Sequence, residues 1–413
     1  MRILFWGLLA FTAIFCGCSH SPSELKTGIW RGVLDIQGQQ LPFNFRVVND
    51  STGGFDVYLK NATEDLLLDE VEFHDDSVDI VLHVFDAELR VAVHGDSLKG
   101  FFILNYRDNY RIPFNAAFGQ DFRFFKTDST ANAENFSGTY QVQFTDENDT
   151  TQAIGMVRQR GSYAEGSFLT PSGDYRFLEG GVAYNKLYMS TFDGNHLYLI
   201  TATKQNDSTL LGDFWAGRTF HQQWTSTKTE NPILPKTESI TYLKEGYDKI
   251  EFSFPDINGN KVSLTDEKYK NKVVILQIFG TWCPNCMDET KFLTSWYNKN
   301  KDRGVEILGL AYERKDDFAY ASQRVKKMKE KWSVPYDFVI AGVDDKTKAS
   351  ATLPALSGIT AFPTTIFIGR DGKVKHIHTG FEGPGTGIYH EQFKQRFNEI
   401  VNELLAKDLT SIK

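Results

Sequence analysis

The chain has 413 residues, enough for two or three domains that each bury a core. Its formal net charge is −8 and it carries no long basic run, which excludes a nucleic-acid surface. Aromatic residues make up 14% of the chain and concentrate before residue 230, so that part is expected to be β-rich rather than helical.

Residues 1–18 read as an address for export. Arg2 supplies a short positive n-region, residues 3–15 an apolar h-region too short to span a bilayer comfortably, and Phe15-Cys16-Gly17-Cys18 a small-residue ending. This ending resembles the lipobox of bacterial lipoproteins, which implies a lipid on Cys18, anchorage to a membrane and a periplasm-facing place in the cell envelope. A plain cleaved signal peptide and an uncleaved anchor are the alternatives. With Cys16 removed and Cys18 lipidated, Cys283 and Cys286 are the only thiols of the folded portion, so no structural disulfide competes with them.

Residues 19–126 form the first expected domain, opened by a short polar tether. Apolar and polar residues alternate, as in Phe43-Asn44-Phe45-Arg46-Val47 and Val78-Asp79-Ile80-Val81-Leu82, and turn residues such as Gly53-Gly54 and His94-Gly95-Asp96 break the runs. A second β domain is expected over 134–228. Gly28-Ile29-Trp30 opens the first unit and Gly138-Thr139-Tyr140 the second, while Leu98-Lys99-Gly100-Phe101-Phe102 and Leu211-Gly212-Asp213-Phe214-Trp215 lie about equally far downstream. The pattern predicts tandem barrels or sandwiches. Phe122-Arg123-Phe124-Phe125 and Phe214-Trp215 are expected to fill β cores rather than to line a cavity.

Residues 229–246, with Asn231-Pro232 and Leu234-Pro235, read as a linker to a last domain over 247–410. A hairpin is predicted around Asn258-Gly259, and then a buried strand over Val273–Phe279. Trp282-Cys283-Pro284-Asn285-Cys286 follows, and the bulky residues from Met287 to Trp296 recur at helical spacing. The cysteines therefore sit where a strand turns into a helix. A thiol at a helix N-terminus faces unpaired N–H groups and the positive end of the helix dipole, so its thiolate is favoured. Cys283 is expected to project outward and attack, and Cys286, one turn back, to resolve. The same spacing is half of many zinc sites, but the mature chain has no second CxxC to complete one. His376 and His378 alternate along a predicted strand and read as sheet residues, so no metal site is expected, and no organic cofactor.

Further strands are predicted over 305–311 and 336–340 with a helix over 316–332 between them, an order that indicates parallel strands joined by crossovers. Thr364–Ile368 and 374–377 form an antiparallel hairpin around Arg370-Asp371-Gly372-Lys373, and 391–407 closes the chain as a helix. The fold class is multidomain, all-β and then α/β.

Phe254-Pro255-Asp256, the stretch from Gln277 to Cys286, Gly358-Ile359-Thr360-Ala361-Phe362-Pro363-Thr364 and Asp371-Gly372 together resemble the thioredoxin superfamily, and within it the exported thiol-disulfide reductases of the TlpA and ResA type. The resemblance covers the last domain only. It implies that Pro363 is a cis-proline facing the CxxC and that the Phe362 backbone pairs with an incoming polypeptide, with Trp282 completing the substrate-binding set. It also implies that Glu289, three residues after Cys286, takes and returns that thiol's proton. Gln277 stands where cytosolic thioredoxins carry a buried Asp, and Lys291 where the subfamily has a Pro. A peroxiredoxin is rejected, because Gly280 occupies the place of that family's hydroxyl residue.

The expected activity is dithiol–disulfide exchange that reduces exported proteins, with oxidation as the alternative direction. The implied partners are exported disulfide substrates and a membrane thiol electron donor. A rival reading makes the β region a binding or scaffolding module for an envelope partner, with the thioredoxin-like domain accessory. The complete constellation of CxxC, Pro363 and Glu289 favours the enzyme.

Overall fold

The computed structural model describes residues 25–68, 70–74, 77–82, 85–126, 133–147, 149–235 and 239–407. Cys18 and the rest of the predicted signal segment lie outside the described residues.

The first sheet holds β1 (Gly28–Ile36), β2 (Gln39–Asn49), β3 (Phe55–Asn61), β4 (Glu64–Leu68), β5 (Glu70–Phe73), β6 (Ser77–Leu82), β7 (Ala87–His94), β8 (Ser97–Leu104) and β9 (Arg111–Phe118). Each strand pairs antiparallel with its sequence neighbour from β1 to β4 and from β5 to β9, and β1 also pairs with β9. The sheet curls into a barrel-like cylinder whose seam falls between β4 and β5. Alternation drives the curl: on β1, Trp30, Leu34 and Ile36 point inward. Phe43, Phe45 and Phe114 join them, with Trp30 stacked on Phe45 at 6.1 Å. Burying each such side chain stabilises the fold by roughly 2–3 kcal/mol.

The second sheet holds β10 (Gly138–Thr145), β11 (Thr150–Arg160), β12 (Tyr163–Thr170), β13 (Gly173–Asp174), β14 (Leu178–Ala183), β15 (Lys186–Phe192), β16 (Leu197–Lys204), β17 (Thr209–Ala216) and β18 (Phe220–Lys228). Pairing of β10 with both β11 and β18, and of β11 with β12, closes a ring, which abolishes free edges. β13 is a short arm folded onto β12.

The two openings are equivalent in detail. The Trp30 indole N–H donates to the Lys26 carbonyl at 2.9 Å, and the Tyr140 hydroxyl to the Phe136 carbonyl at 2.8 Å, four residues back in each case. Gly28 (φ 133°) and Gly138 (φ 153°) take conformations closed to other residues, and a Cβ at either would strike the last strand of its own sheet.

The barrels are fused rather than merely tethered: Phe192 of β15 packs at 4.6 Å from Phe43 and 5.2 Å from Phe102. Here the aromatic reading needs correction. Phe214 fills the second core, but Phe122, Phe124 and Phe125 are only half-buried, and the buried member of that run is Arg123. Its guanidinium bridges the barrels, donating to the Lys60 carbonyl of the first and, at 2.9 Å, to the Ser190 carbonyl of the second, where it also pairs with Glu179 at 3.2 Å.

The remaining elements are β19 (Phe254–Pro255), β20 (Lys261–Val262), β21 (Val273–Phe279), α1 (Pro284–Asn300), β22 (Val305–Glu313), α2 (Phe318–Lys331), β23 (Asp337–Val343), α3 (Lys346–Thr352), β24 (Thr364–Ile368), β25 (Val374–Thr379) and α4 (Ile388–Lys407). The sheet order is β23-β22-β21-β24-β25, parallel across the first three and antiparallel after. β21 is buried on both faces, Val273, Ile275 and Phe279 against α1 and α4, and Val274, Leu276 and Ile278 against the α3 side. The end of the expected linker is built into this unit, with Leu243 bridged to Leu356 and Thr241 fully buried. Among the described residues no helix is long and apolar enough to cross a membrane.

Candidate active site

β21 delivers the cysteines. Cys283 is the N-cap of α1 (φ −99°, ψ 113°), and its Sγ accepts the Cys286 N–H at 3.2 Å. Pro284 occupies the first turn, where no hydrogen bond is lost. Cys283 and Cys286 are joined in a disulfide with Cα atoms 5.2 Å apart. On reduction the Cys283 sulfur faces the positive end of a 17-residue helix, the setting that favours a thiolate. Cys286 is 1% exposed, and Cys283, expected to project outward, is only 5% exposed. The second barrel touches the turn next to it, through Pro284 and Asn285.

The facing wall is the Phe362–Pro363 loop, whose peptide bond is cis. The Phe362 carbonyl oxygen lies 3.5 Å from Cys283 Sγ. Trp282 is pinned: its indole N–H donates to the Tyr312 carbonyl at 2.8 Å, Phe362 meets its ring edge-on at 5.4 Å, and the Arg314 guanidinium stacks 3.9 Å from the ring centre. Behind them Glu313 accepts both the backbone N–H and the hydroxyl of Thr281, at 2.9 and 2.8 Å, and burial pushes its carboxyl up to about 7.

Glu289 is 1% exposed, and burial pushes it up to about 7, against hydrogen bonds that favour the charged form. These come from the Thr365 hydroxyl at 2.6 Å and the Gln277 amide at 2.9 Å. Gln277 in turn accepts from the Tyr336 hydroxyl at 3.2 Å. A carboxyl poised near neutrality, one helical turn from Cys286, suits proton transfer. Sequence reasoning missed Thr365 and Tyr336, because nothing local ties them to Glu289. α1 runs unbroken through Lys291, whose ammonium lies 5.5 Å from the Trp332 ring centre. His378 pairs with Glu382 at 2.9 Å, and among the described residues no group of three metal-ligating side chains gathers.

The Redoxin family model matches residues 244–392. The thiol-disulfide oxidoreductase ResA of Geobacillus thermodenitrificans is 32% identical over 130 residues, covering 32% of this chain and 66%, just under two thirds, of that protein. ResA of Bacillus thuringiensis subsp. konkukian is 30% identical over 162 residues, covering 39% of this chain and 79% of that protein. The chain belongs to the ResA family. Its ResA-like part is the last sheet with its helices, and both barrels lie outside the matched residues. A thiol:disulfide interchange protein of Chlorobium tepidum also aligns, with a TM-score of 0.30 at 22% identity over 40% of this chain and 99% of that one. In this ResA-family chain the disulfide-forming pair is Cys283–Cys286.

Proposed function

We propose that this protein reduces disulfides in exported proteins, working from a lipid anchor at Cys18 on the periplasm-facing side of the envelope. The observation that carries the reading is the Cys283–Cys286 disulfide at a helix N-terminus, against the Phe362–Pro363 loop and backed by the buried Glu289. The Cys283 thiolate attacks one substrate sulfur; that S–S bond breaks, a mixed disulfide forms, and the leaving thiolate takes up a proton. Cys286 passes its proton to the Glu289 carboxylate and attacks Cys283 Sγ. The second substrate thiol leaves, and two electrons have moved from the enzyme pair to the substrate. A membrane thiol donor then reduces the pair again. Substrate backbone pairs at Phe362, with Trp282 and Pro363 shaping the groove. The same reading divides the chain into barrels at 19–126 and 134–228 and a catalytic unit at 247–410.

Cys286→Ser tests it. Incubated with an oxidised disulfide protein, this variant is expected to accumulate a reductant-sensitive adduct through Cys283; no adduct from a variant whose Cys283 still alkylates would overturn the reading. The wild-type potential decides the direction: near −270 mV it marks a reductant, near −120 mV an oxidant. For the anchor, Cys18→Ser is expected to move the protein from the membrane to the soluble fraction, and unchanged fractionation would remove lipidation from the account.

A further inference from the structure

The turn between the cysteines is held by a different part of the chain. Arg176, just beyond β13, is 1% exposed, and its Nη1 donates to the Pro284 carbonyl at 2.9 Å. The Asn285 side-chain amide donates to the Asp174 carbonyl at 3.0 Å. Both residues between Cys283 and Cys286 are thus tied to one hairpin of the second barrel.

The rest of the guanidinium is balanced by carboxylates from all three parts of the molecule. It pairs with Glu64 of the first barrel, with Asp193 of the second at 3.4 Å and with Asp288 of α1 at 3.3 Å. The Asp174 carboxylate accepts the Arg176 N–H at 2.6 Å and the Gly383 N–H as well. The fit is close. A Cβ on Gly173 would lie 2.7 Å from the Asn285 amide nitrogen, and one on Gly385 would strike the Arg176 carbonyl. The hairpin also abuts the cis-proline loop, since Gly380 touches Ser172 and donates its N–H to the Pro363 carbonyl at 2.9 Å. Burying such a charge cluster costs desolvation that a nonpolar contact would not, and the best-attested use of such clusters is to fix register. Here the register fixed is that of the barrel hairpin on the CxxC turn.

We propose that Arg176 is a positioning residue for dithiol–disulfide exchange: it holds the turn between Cys283 and Cys286, which makes the second barrel a working part of the redox site. The inference rests on the exchange reading above. The guanidinium sits beside the helix N-terminus that carries the Cys283 sulfur, and its charge offsets Glu64, Asp193 and Asp288. Without it the negative charge of those carboxylates is left without its shared cation in the neighbourhood of the CxxC turn, which disfavours the Cys283 thiolate; the dithiol form loses stability, and the pair becomes a stronger reductant.

The test is equilibration of the full folded chain with glutathione. Arg176→Gln is expected to shift the equilibrium about tenfold toward the protein disulfide, which lowers the potential by about 30 mV for a two-electron couple. Arg176→Lys, which keeps the charge without the planar fork, is expected to fall between it and wild type. If Arg176→Gln does not fold, Gly385→Ala decides: it pushes the hairpin off its seat with every charge retained, and the equilibrium is expected to move the same way. A folded variant of either kind within twofold of wild type overturns the proposal. Wild-type protein that fails to exchange with glutathione at all would instead remove the reading on which it rests.

Discussion

Cys283→Ser is expected to abolish turnover of a disulfide substrate while leaving the fold intact. A serine hydroxyl does not ionise at neutral pH, and only the thiolate attacks a disulfide. The fold survives for a local reason. Cys283 is the N-cap of α1 and its sulfur accepts the Cys286 N–H, and serine is among the preferred residues at that position. Measured against reduced wild type, the variant should unfold within about 1 kcal/mol of it. Steady-state turnover with a disulfide protein, alongside denaturant unfolding, checks both halves. Retained turnover from a cooperatively folded variant would sink the mechanism.

Glu289→Gln should slow the step that uses Cys286 by on the order of 10²-fold, the usual scale of a lost general acid or base. Because burial lifts Glu289 to about 7, the wild-type rate of that step should rise with pH through neutrality, as the carboxylate form grows. The variant should lose that ionisation. Single-turnover decay of a preformed mixed disulfide between pH 5 and 9 is the measurement, and an unchanged profile would return Glu289 to a purely structural role. Stability supplies a second readout. The folded value lies above the ordinary one near 4.5, so the native state holds this proton more tightly than the unfolded chain. The wild type therefore loses stability as pH rises from the ordinary value through about 7, by up to ~3 kcal/mol from this group. Asp174 and Glu313, each also raised to about 7 by burial, act in the same direction. In oxidised protein the fall in stability between pH 5 and 8 should shrink on Glu289→Gln without vanishing.

The contact of the second barrel with the CxxC turn changes how the β region is read. A spacer would leave the CxxC turn untouched, yet a hairpin of the second barrel donates to the Pro284 carbonyl and accepts from the Asn285 amide, beside a nearly buried Cys283. Met287, in the next turn of α1, packs into the core of the first barrel. The catalytic helix is therefore seated on both barrels at once. The Tyr320 hydroxyl of α2 adds a further tie, donating to Asp86 of the first barrel at 2.7 Å.

What the sequence determined by itself is what lies contiguous in it. The strand before the cysteines, the helix after them, the proline in the first turn and the alternating strands of both barrels are local patterns, because backbone geometry imposes periods of two and 3.6 on neighbouring residues. Even the faint repeat has a local basis, since Gly28-Ile29-Trp30 and Gly138-Thr139-Tyr140 each begin a sheet by bonding four residues back. The family resemblance pointed to Glu289, but the partners that hold its carboxyl, Gln277 and Thr365, stand on β21 and β24. The run from Phe122 to Phe125 misled because aromatic content does not say which face of a segment meets another barrel; there the buried side chain is Arg123. Arg176 was invisible for the same reason in stronger form. Its partners Glu64, Asp193, Pro284 and Asp288 come from two barrels and a helix, and no period within one segment records a charge balanced by several others. Low dielectric and close packing make such a cluster decisive once the chain is folded, and only folding brings its members together.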